Sequence, residues 1–180
     1  ARGYIGSFLG NYLLDKGYNV FLASRSNENV QHIPSKIFRR VSWNDKDSLN
    51  EICSDIDAII HAAGMNRDAS ANNPLDAFMF NGAATGNLIK AAVNNGVNKF
   101  IYLSSYHVYA NPLNGEISES TCPCNVHPYA TTHRVGEAAL YSAVQQGIID
   151  GTILRMSNGF GAPIIPEIDC WGLFVNNLCR

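Results

Sequence analysis

Segments typical of buried strands alternate with segments typical of helices along this 180-residue chain. No internal repeat or low-complexity linker interrupts the alternation. Alternation of this kind is the signature of βαβ units, in which right-handed helical crossovers join parallel strands. The sequence therefore predicts an α/β fold with a doubly wound parallel sheet, whose ligand lies at the carboxyl ends of the strands.

The boundaries of the predicted elements follow hydrophobic periodicity and helix-ending residues. Asn73-Pro74 places proline at the first position of a long helix, which ends at Asn94-Asn95-Gly96. The predicted helices span residues 6–17, 46–53, 74–95 and 129–146, and the predicted strands span residues 19–24, 37–41, 58–62, 99–104 and 152–156.

The first residues of the chain have the spacing of a glycine-rich phosphate-binding turn that runs into a helix. Glycines at Gly3 and Gly6 let the backbone approach a pyrophosphate, and the helix N-terminus offers free N–H groups to the anion. This pattern favours a dinucleotide, although two glycines also form ordinary tight turns before helices. One further residue before Ala1 would complete the motif.

Composition argues against several other classes of protein. A formal net charge of −2 gives no basic face for nucleic acid or anionic lipid. No apolar run approaches the roughly 18 residues that a membrane span needs. The five cysteines include no Cys-x-x-Cys pair, so we expect free thiols and no metal site. These features predict a cytoplasmic protein that binds neither nucleic acid nor membrane.

Hydroxyl and imidazole groups cluster after one predicted strand, at Ser104-Ser105-Tyr106-His107, and at the start of the next helix, at Pro128-Tyr129. A hydroxyl at a strand end and a tyrosine on the following helix can hydrogen-bond the same substrate oxygen, as proton transfer to an alkoxide or ketone requires. We therefore expect a hydroxyl of this cluster and the tyrosine to act together. For Ser105, a strand-end cap is the structural alternative.

With these motifs the chain resembles the extended short-chain dehydrogenase/reductase family, in its NAD-dependent epimerase/dehydratase branch, which modifies nucleotide sugars. The resemblance covers essentially the whole chain. Its motifs are Gly3-x-x-Gly6, Asp57-Ala-Ile-Ile-His61-Ala-Ala-Gly64, Phe80-Asn81-Gly82, Ser104-Ser105, Pro128-Tyr129 and Arg155-Met-Ser-Asn158-Gly-Phe-Gly161.

The resemblance implies a Rossmann-like doubly wound sheet whose first strand is missing from this chain. It also implies truncation at both ends, because relatives continue well beyond the last residue. Residues 1–160 would form the NAD(P)-binding domain, and residues 161–180 would begin a truncated C-terminal substrate domain. In the family's strand order the first strand lies between the second and the fourth. Without it, we expect the second and fourth strands not to be hydrogen-bonded to each other.

The resemblance assigns catalytic roles by position. Tyr129 matches the tyrosine acid/base, and Ser105 matches the hydroxyl that holds the substrate oxygen. His133 stands where the family has a lysine, on the helix face of Tyr129, whereas Arg134 lies on another face. Three alternatives follow for His133: it is held cationic, it is neutral and orients the nicotinamide ribose, or the site has decayed and it lies at the surface.

His107 and Asn158 would complete the substrate side. The sugar 4,6-dehydratases of the family carry carboxyl groups in the stretch that is Ser105-Tyr106-His107 here, so dehydration is disfavoured. In the GDP-fucose synthase branch a proton-moving cysteine matches His107, and an imidazole suits that task. Packing beside Tyr109 is the alternative for His107. The expected substrate-binding residues are Ser105, His107, Tyr129 and Asn158.

Cofactor choice depends on the end of the strand at residues 19–24. Ser24 replaces the acidic residue of NAD-preferring sites, and Arg25 can pair with a 2′-phosphate, so we expect NADP, with NAD as the alternative. Adenine stacking is the alternative for Arg25, and a structural role is the alternative for Asn81. The expected cofactor-binding residues are Gly3, Tyr4, Ile5, Gly6, Ser24, Arg25, Ala62, Ala63, Gly64, Asn81, Leu103, Tyr129, His133 and Met156.

The predicted function is therefore that of an NAD(P)-dependent reductase or epimerase of a nucleotide-linked sugar. A reductase is preferred, because NADPH commonly serves net reduction. The alternative is a dinucleotide-binding sensor without turnover. The resemblance also implies a homodimer through the helices at residues 74–95 and 129–146. The side chains with helical spacing that suits either core or interface are Phe78, Leu88, Ala92, Ala139 and Ala143.

Overall fold

The fold is α/β with parallel strands, as predicted, in a computed structural model that describes residues 2–25, 37–110, 112–170 and 173–179. In chain order the elements are α1 (Tyr4–Asp15), β1 (Leu22–Ser24), β2 (Phe38–Arg40), α2 (Lys46–Cys53), β3 (Ala58–His61), α3 (Arg67–Asn72), α4 (Pro74–Ala77), a π-helical segment (Phe78–Ala84), α5 (Thr85–Asn94), β4 (Lys99–Ser105), a 3₁₀ turn (Tyr106–Val108), α6 (Pro128–Gln145), β5 (Asp150–Met156) and α7 (Phe174–Leu178). None of the helices in these ranges is long and apolar enough to cross a bilayer.

The described strands form two separate sheets, β1-β2 and β3-β4-β5. Strands β1 and β3 therefore belong to different sheets, in agreement with the prediction that they do not pair. The chain divides into two compact units, one of residues 1–42 with 158–180 and the other of residues 43–157. The domain boundary expected after residue 160 stays a prediction.

The first unit places helix α1 directly against strand β1. The helix begins after Gly3, whose carbonyl accepts a hydrogen bond from the Ser7 N–H at 2.9 Å. A Cβ at Gly10 would lie 2.7 Å from Cδ2 of Leu22, so only glycine permits this approach. Sequence analysis named Gly3 and Gly6 but missed Gly10, although Gly10 continues the run of glycines along one helix. Leu22 and Ile37 form the buried centre of this unit.

The second unit is built on the β3-β4-β5 sheet, with β4 in the middle. Phe100 and Tyr102 of β4 are fully buried, as is Leu140 of α6. A Cβ at Gly151 of β5 would lie 2.5 Å from Cγ2 of Val144, so this glycine lets α6 lie close to the sheet. Close packing of α6 on the sheet fixes the position of its first turns relative to the end of β4.

The predicted helix over residues 74–95 differs in one respect from the structure. Between α4 and α5, the chain takes a π-helical conformation at Phe78–Ala84, which buries Asn81 and Gly82. A Cβ at Gly82 would lie 3.1 Å from Cγ1 of Val135, so the π segment lies close to α6. Hydrophobic periodicity predicts a helix here but does not distinguish a π-helical turn from an α-helical one. The short polar helices α3 and α7 were also not predicted.

The side chains expected on the outer helix faces divide between core and surface. Leu88 and Ala92 are buried at 3% and 0% exposure, so they serve the core and not an interface. Phe78 is exposed, and Ala139 and Ala143 are half-buried. A dimer contact through these helices would therefore involve only Phe78, Ala139 and Ala143, and it stays a prediction.

Candidate active site

Strand β4 ends at Ser105, a buried residue that makes two contacts through its hydroxyl. Its Oγ accepts a hydrogen bond from the backbone N–H of His107 at 3.3 Å and so caps the 3₁₀ turn. The same hydroxyl lies near the phenol of Tyr129 and acts to lower its pKa. The strand-end cap and the contact with the tyrosine, which sequence analysis treated as alternatives, therefore occur together.

Tyr129 lies in the first turn of α6, where Pro128 takes the first helical position. The ring of His127 caps this helix, because its Nδ1 accepts the Tyr129 N–H at 3.2 Å. Burial raises the pKa of the Tyr129 phenol above its ordinary value, and the nearby Ser105 hydroxyl acts in the opposite direction. The phenol is therefore protonated at neutral pH, with a hydroxyl close to its oxygen.

His133 follows Tyr129 by one turn of α6 and packs against it, with ring centroids 4.5 Å apart. It is 5% exposed, and its Nδ1 lies 2.9 Å from the Oη of Tyr102. Burial lowers the pKa of His133 to about 4, although Glu137 raises it. His133 lies inside the protein, which contradicts the surface alternative, and its lowered pKa favours the neutral ring over the cationic one. Arg134 is exposed, as the helical geometry predicted.

The segment after β3 borders the His133 ring. A Cβ at Gly64 would lie 3.4 Å from Oδ1 of Asn81 and 3.9 Å from Nε2 of His133. Asn81 Oδ1 accepts the Met65 N–H at 2.7 Å, and its Nδ2 donates to Thr132 Oγ1 at 3.2 Å. Asn81 therefore joins this segment to α6, which is a structural role. The other residues expected beside the cofactor in this unit are Ala62, exposed, and Ala63, Leu103 and Met156, half-buried.

A small cavity opens beside Tyr129. Its lining residues are Arg67, His107, Asn125, His127, Tyr129 and Ala130. The His107 ring lies 6.1 Å from the Tyr129 ring, and Asn125 Nδ2 holds the His107 carbonyl at 2.8 Å. Burial lowers the pKa of His107, and the positive charge of Arg67 lowers it further. His107 thus lies in this cavity next to the phenol, and Arg67, which sequence analysis missed, lies there with it.

A buried ion pair supports the end of β4. The Glu137 carboxylate of α6 accepts Arg155 Nε at 2.9 Å and Nη2 at 2.7 Å, and it also accepts the Ser104 hydroxyl at 2.6 Å. Arg155 Nη1 donates to the Tyr109 hydroxyl at 2.9 Å. This network joins α6, β4 and β5 next to Ser105. Sequence analysis missed Glu137; its position one helical turn after His133 was the available signal.

The remaining predicted site residues belong to the first unit. Tyr4, Ile5 and Gly6 form the first turn of α1, where Gly3 provides no side-chain cap. Ser24 ends β1 as a buried residue, and its carbonyl accepts the Val41 N–H at 2.9 Å. The side chain of Arg25, the next residue, is exposed, as is that of Asn158.

Several curated proteins are similar to this chain. A UDP-glucose 4-epimerase of Rhizobium leguminosarum bv. trifolii is 28% identical over 175 residues, which are 95% of this chain and 54% of the relative. A dTDP-glucose 4,6-dehydratase of Streptomyces antibioticus is 28% identical over 151 residues, which are 83% and 45% of the two chains. A UDP-glucose 4-epimerase of Schizosaccharomyces pombe is 32% identical over 179 residues, 90% of this chain and 50% of the relative. The chain thus spans about half the length of these relatives.

Solved structures show the same fold. MoeE5 in complex with UDP-glucose and NAD aligns with a TM-score of 0.80 at 25% identity, over 100% of this chain and 58% of that one. The UDP-glucose 4-epimerase of Thermus thermophilus in complex with NAD aligns with a TM-score of 0.82 at 24% identity, over 93% and 56%. A sequence profile described as the NAD dependent epimerase/dehydratase family matches residues 1–168. This chain belongs to the NAD-dependent epimerase/dehydratase family.

Proposed function

We propose that the protein is an NAD(P)-dependent oxidoreductase or epimerase that acts on a nucleotide-linked sugar. The observation that carries this proposal is the assembly of Ser105, Tyr129 and His133 at the end of β4 and the start of α6, beside an open cavity. Similar proteins named UDP-glucose 4-epimerase and dTDP-glucose 4,6-dehydratase support the substrate class.

Tyr129 is the proposed acid/base. As the phenolate it would take the proton of a sugar hydroxyl as the carbon loses hydride, and as the phenol it would return this proton on reduction. Ser105 lies near the phenol and would hold the same sugar oxygen during the reaction. His107, in the cavity beside the phenol, is the proposed second proton-transfer group, and Asn158 the proposed contact to the nucleotide phosphate. The nicotinamide cofactor supplies or accepts the hydride.

The residues of α1 fit a dinucleotide. A Cβ at Gly3 would meet no atom within 4 Å, and no side chain caps the first N–H groups of this 12-residue helix. An anion can therefore approach the helix N-terminus. On this basis Gly3, Tyr4, Ile5 and Gly6 are proposed to contact the pyrophosphate. Gly64 and its alanine neighbours are proposed to border the nicotinamide half.

NADP is the proposed cofactor, because Ser24 stands where NAD-preferring sites carry an acid and Arg25 is an exposed cation next to it. Similar structures hold NAD, which keeps NAD as the alternative. A reductase follows from NADPH, whereas the names of the relatives favour an epimerase. A homodimer through the exposed faces of the helical stretch at residues 74–95 and of α6 completes the proposal. Light scattering of the full-length protein tests it; a monomer at micromolar concentration would contradict it.

The decisive experiment incubates the full-length protein with a panel of nucleotide sugars and their 4-keto derivatives, in the presence of NADPH or NAD. Net consumption of NADPH identifies a reductase, and interconversion of sugars without net consumption identifies an epimerase. We expect Tyr129→Phe to remove nearly all turnover. Tyr141→Phe, which removes an exposed hydroxyl from the same helix, is the matched control. Dinucleotide binding without turnover of any sugar would support a sensor instead.

A further inference from the structure

A buried hydrogen bond joins His133 to the sheet. Tyr102 Oη lies 2.9 Å from His133 Nδ1. Thr85, which acts to lower the pKa of Tyr102, lies near the same phenol, and its Oγ1 is 2.9 Å from His61 Nε2. All four side chains are at most 5% exposed, so water does not substitute for a partner. The position of the hydrogen between Tyr102 and His133 is therefore fixed by these two groups.

The packing around Tyr102 holds its hydroxyl in place. A Cβ at Gly136 would lie 2.7 Å from Oη of Tyr102, so α6 has a glycine where the phenol reaches it. The Tyr102 ring lies between the rings of His61 and His133, stacked at centroid distances of 5.5 Å and 5.9 Å. The phenol has no room to turn away from Nδ1 of His133.

Acidity determines the direction of this hydrogen bond. Burial raises the pKa of Tyr102 and lowers that of His133 to about 4, so at neutral pH the phenol keeps its proton and the imidazole is neutral. A phenol is a stronger donor than a neutral imidazole, and an imidazole nitrogen is a stronger acceptor than a phenol oxygen. Tyr102 therefore donates to Nδ1 of His133.

We propose that Tyr102 is a positioning residue that holds His133 as the neutral tautomer protonated at Nε2. The Nε2 atom borders Gly64, because a Cβ there would lie 3.9 Å away. This part of the inference rests on the proposed function: the acceptor of the Nε2–H would be a ribose hydroxyl of the nicotinamide cofactor. His133 would then supply the hydrogen bond of the family lysine without its charge.

Nuclear magnetic resonance of the full-length protein labelled with ¹⁵N-histidine tests the tautomer without any ligand. We expect the ¹⁵N signals of His133 to be those of a neutral ring protonated at Nε2. These signals should not change between pH 6 and pH 9. The groups that face His133 are Tyr129 and Glu137 on its own helix and Tyr102 on β4. In Tyr102→Phe we expect a mixture of tautomers. Protonation at Nδ1 or a cationic ring in the wild type at pH 7 would overturn the proposal.

Tyr109→Phe is the matched control, because it also removes a buried hydroxyl with one hydrogen bond, to Arg155. We expect this variant to leave the His133 signals as in the wild type. The same spectral change in both variants would mean that loosened packing, and not the lost hydrogen bond, affects His133, and would contradict the assignment.

Dinucleotide affinity provides the second measurement. We expect Tyr102→Phe to raise the dissociation constant about ten-fold, as the loss of one hydrogen bond allows. In a His133→Gln background, where the side chain donates without needing a tautomer, Tyr102→Phe should change the affinity less than two-fold. An equal effect in both backgrounds would refute the role of Tyr102. If the wild type bound no dinucleotide, the proposed function would fail, whereas the tautomer would still be measured.

Discussion

The Glu137–Arg155 ion pair allows the most quantitative prediction. Glu137→Gln keeps the shape of the side chain and one acceptor oxygen but removes the negative charge that faces Arg155. The Glu137 side chain is 7% exposed and that of Arg155 is 21% exposed. The pair is therefore close to the buried limit, in which removing one partner costs about 3–5 kcal/mol. Partial exposure of Arg155 reduces this cost, and we expect a loss of about 2–4 kcal/mol in the free energy of unfolding.

Asp150→Asn is the matched control. Asp150 pairs with Lys99 at 3.2 Å, but these side chains are 65% and 50% exposed, so its loss should cost under about 1 kcal/mol. Urea denaturation of both variants and of the wild type, at low and high salt, gives the comparison. Higher salt should reduce only the effect of Asp150→Asn, because buried pairs are screened weakly. Equal losses in the two variants would refute the argument that burial determines the strength of this pair.

Three further predictions concern packing, cofactor choice and pH. Gly136→Ala should lower the free energy of unfolding by about 1–3 kcal/mol, because its Cβ would lie 2.7 Å from Tyr102 Oη; Gly96→Ala measures the separate cost of a positive φ, here +70°. Arg25→Ala should weaken NADP at least about ten-fold more than NAD in a binding titration, and equal losses would leave only adenine stacking. The pKa of His133 is about 4 in the folded protein and about 6.5 in the unfolded chain. Between pH 4 and pH 6.5 the unfolded state therefore binds more protons than the folded state. Stability should therefore fall as pH decreases from 6.5 to 4, less so in His133→Gln, and an unchanged slope in urea titrations would contradict the buried neutral imidazole.

Much of the fold could be predicted because it depends on local signals. Helix α2 was predicted at its observed bounds, since Asp45 caps it and its apolar residues repeat with helical spacing. Strands β3, β4 and β5 were found because each contains a short apolar run, at residues 58–60, 100–103 and 153–154. The π-helical segment was not, because hydrophobic periodicity does not distinguish a π-helical turn from an α-helical one.

The candidate site divides in the same way. Helical geometry alone placed His133 on the face of Tyr129, and strand-end position together with the family resemblance indicated Ser105. The charge of His133 could not be predicted, because the ordinary pKa of histidine lies near neutrality and burial decides the result. Only the tertiary structure surrounds His133 with Tyr102, Tyr129 and Glu137, and desolvation there favours the neutral ring. The sequence by itself determined which groups meet at the end of β4, and the packing of α6 on the sheet decided their protonation and their partners.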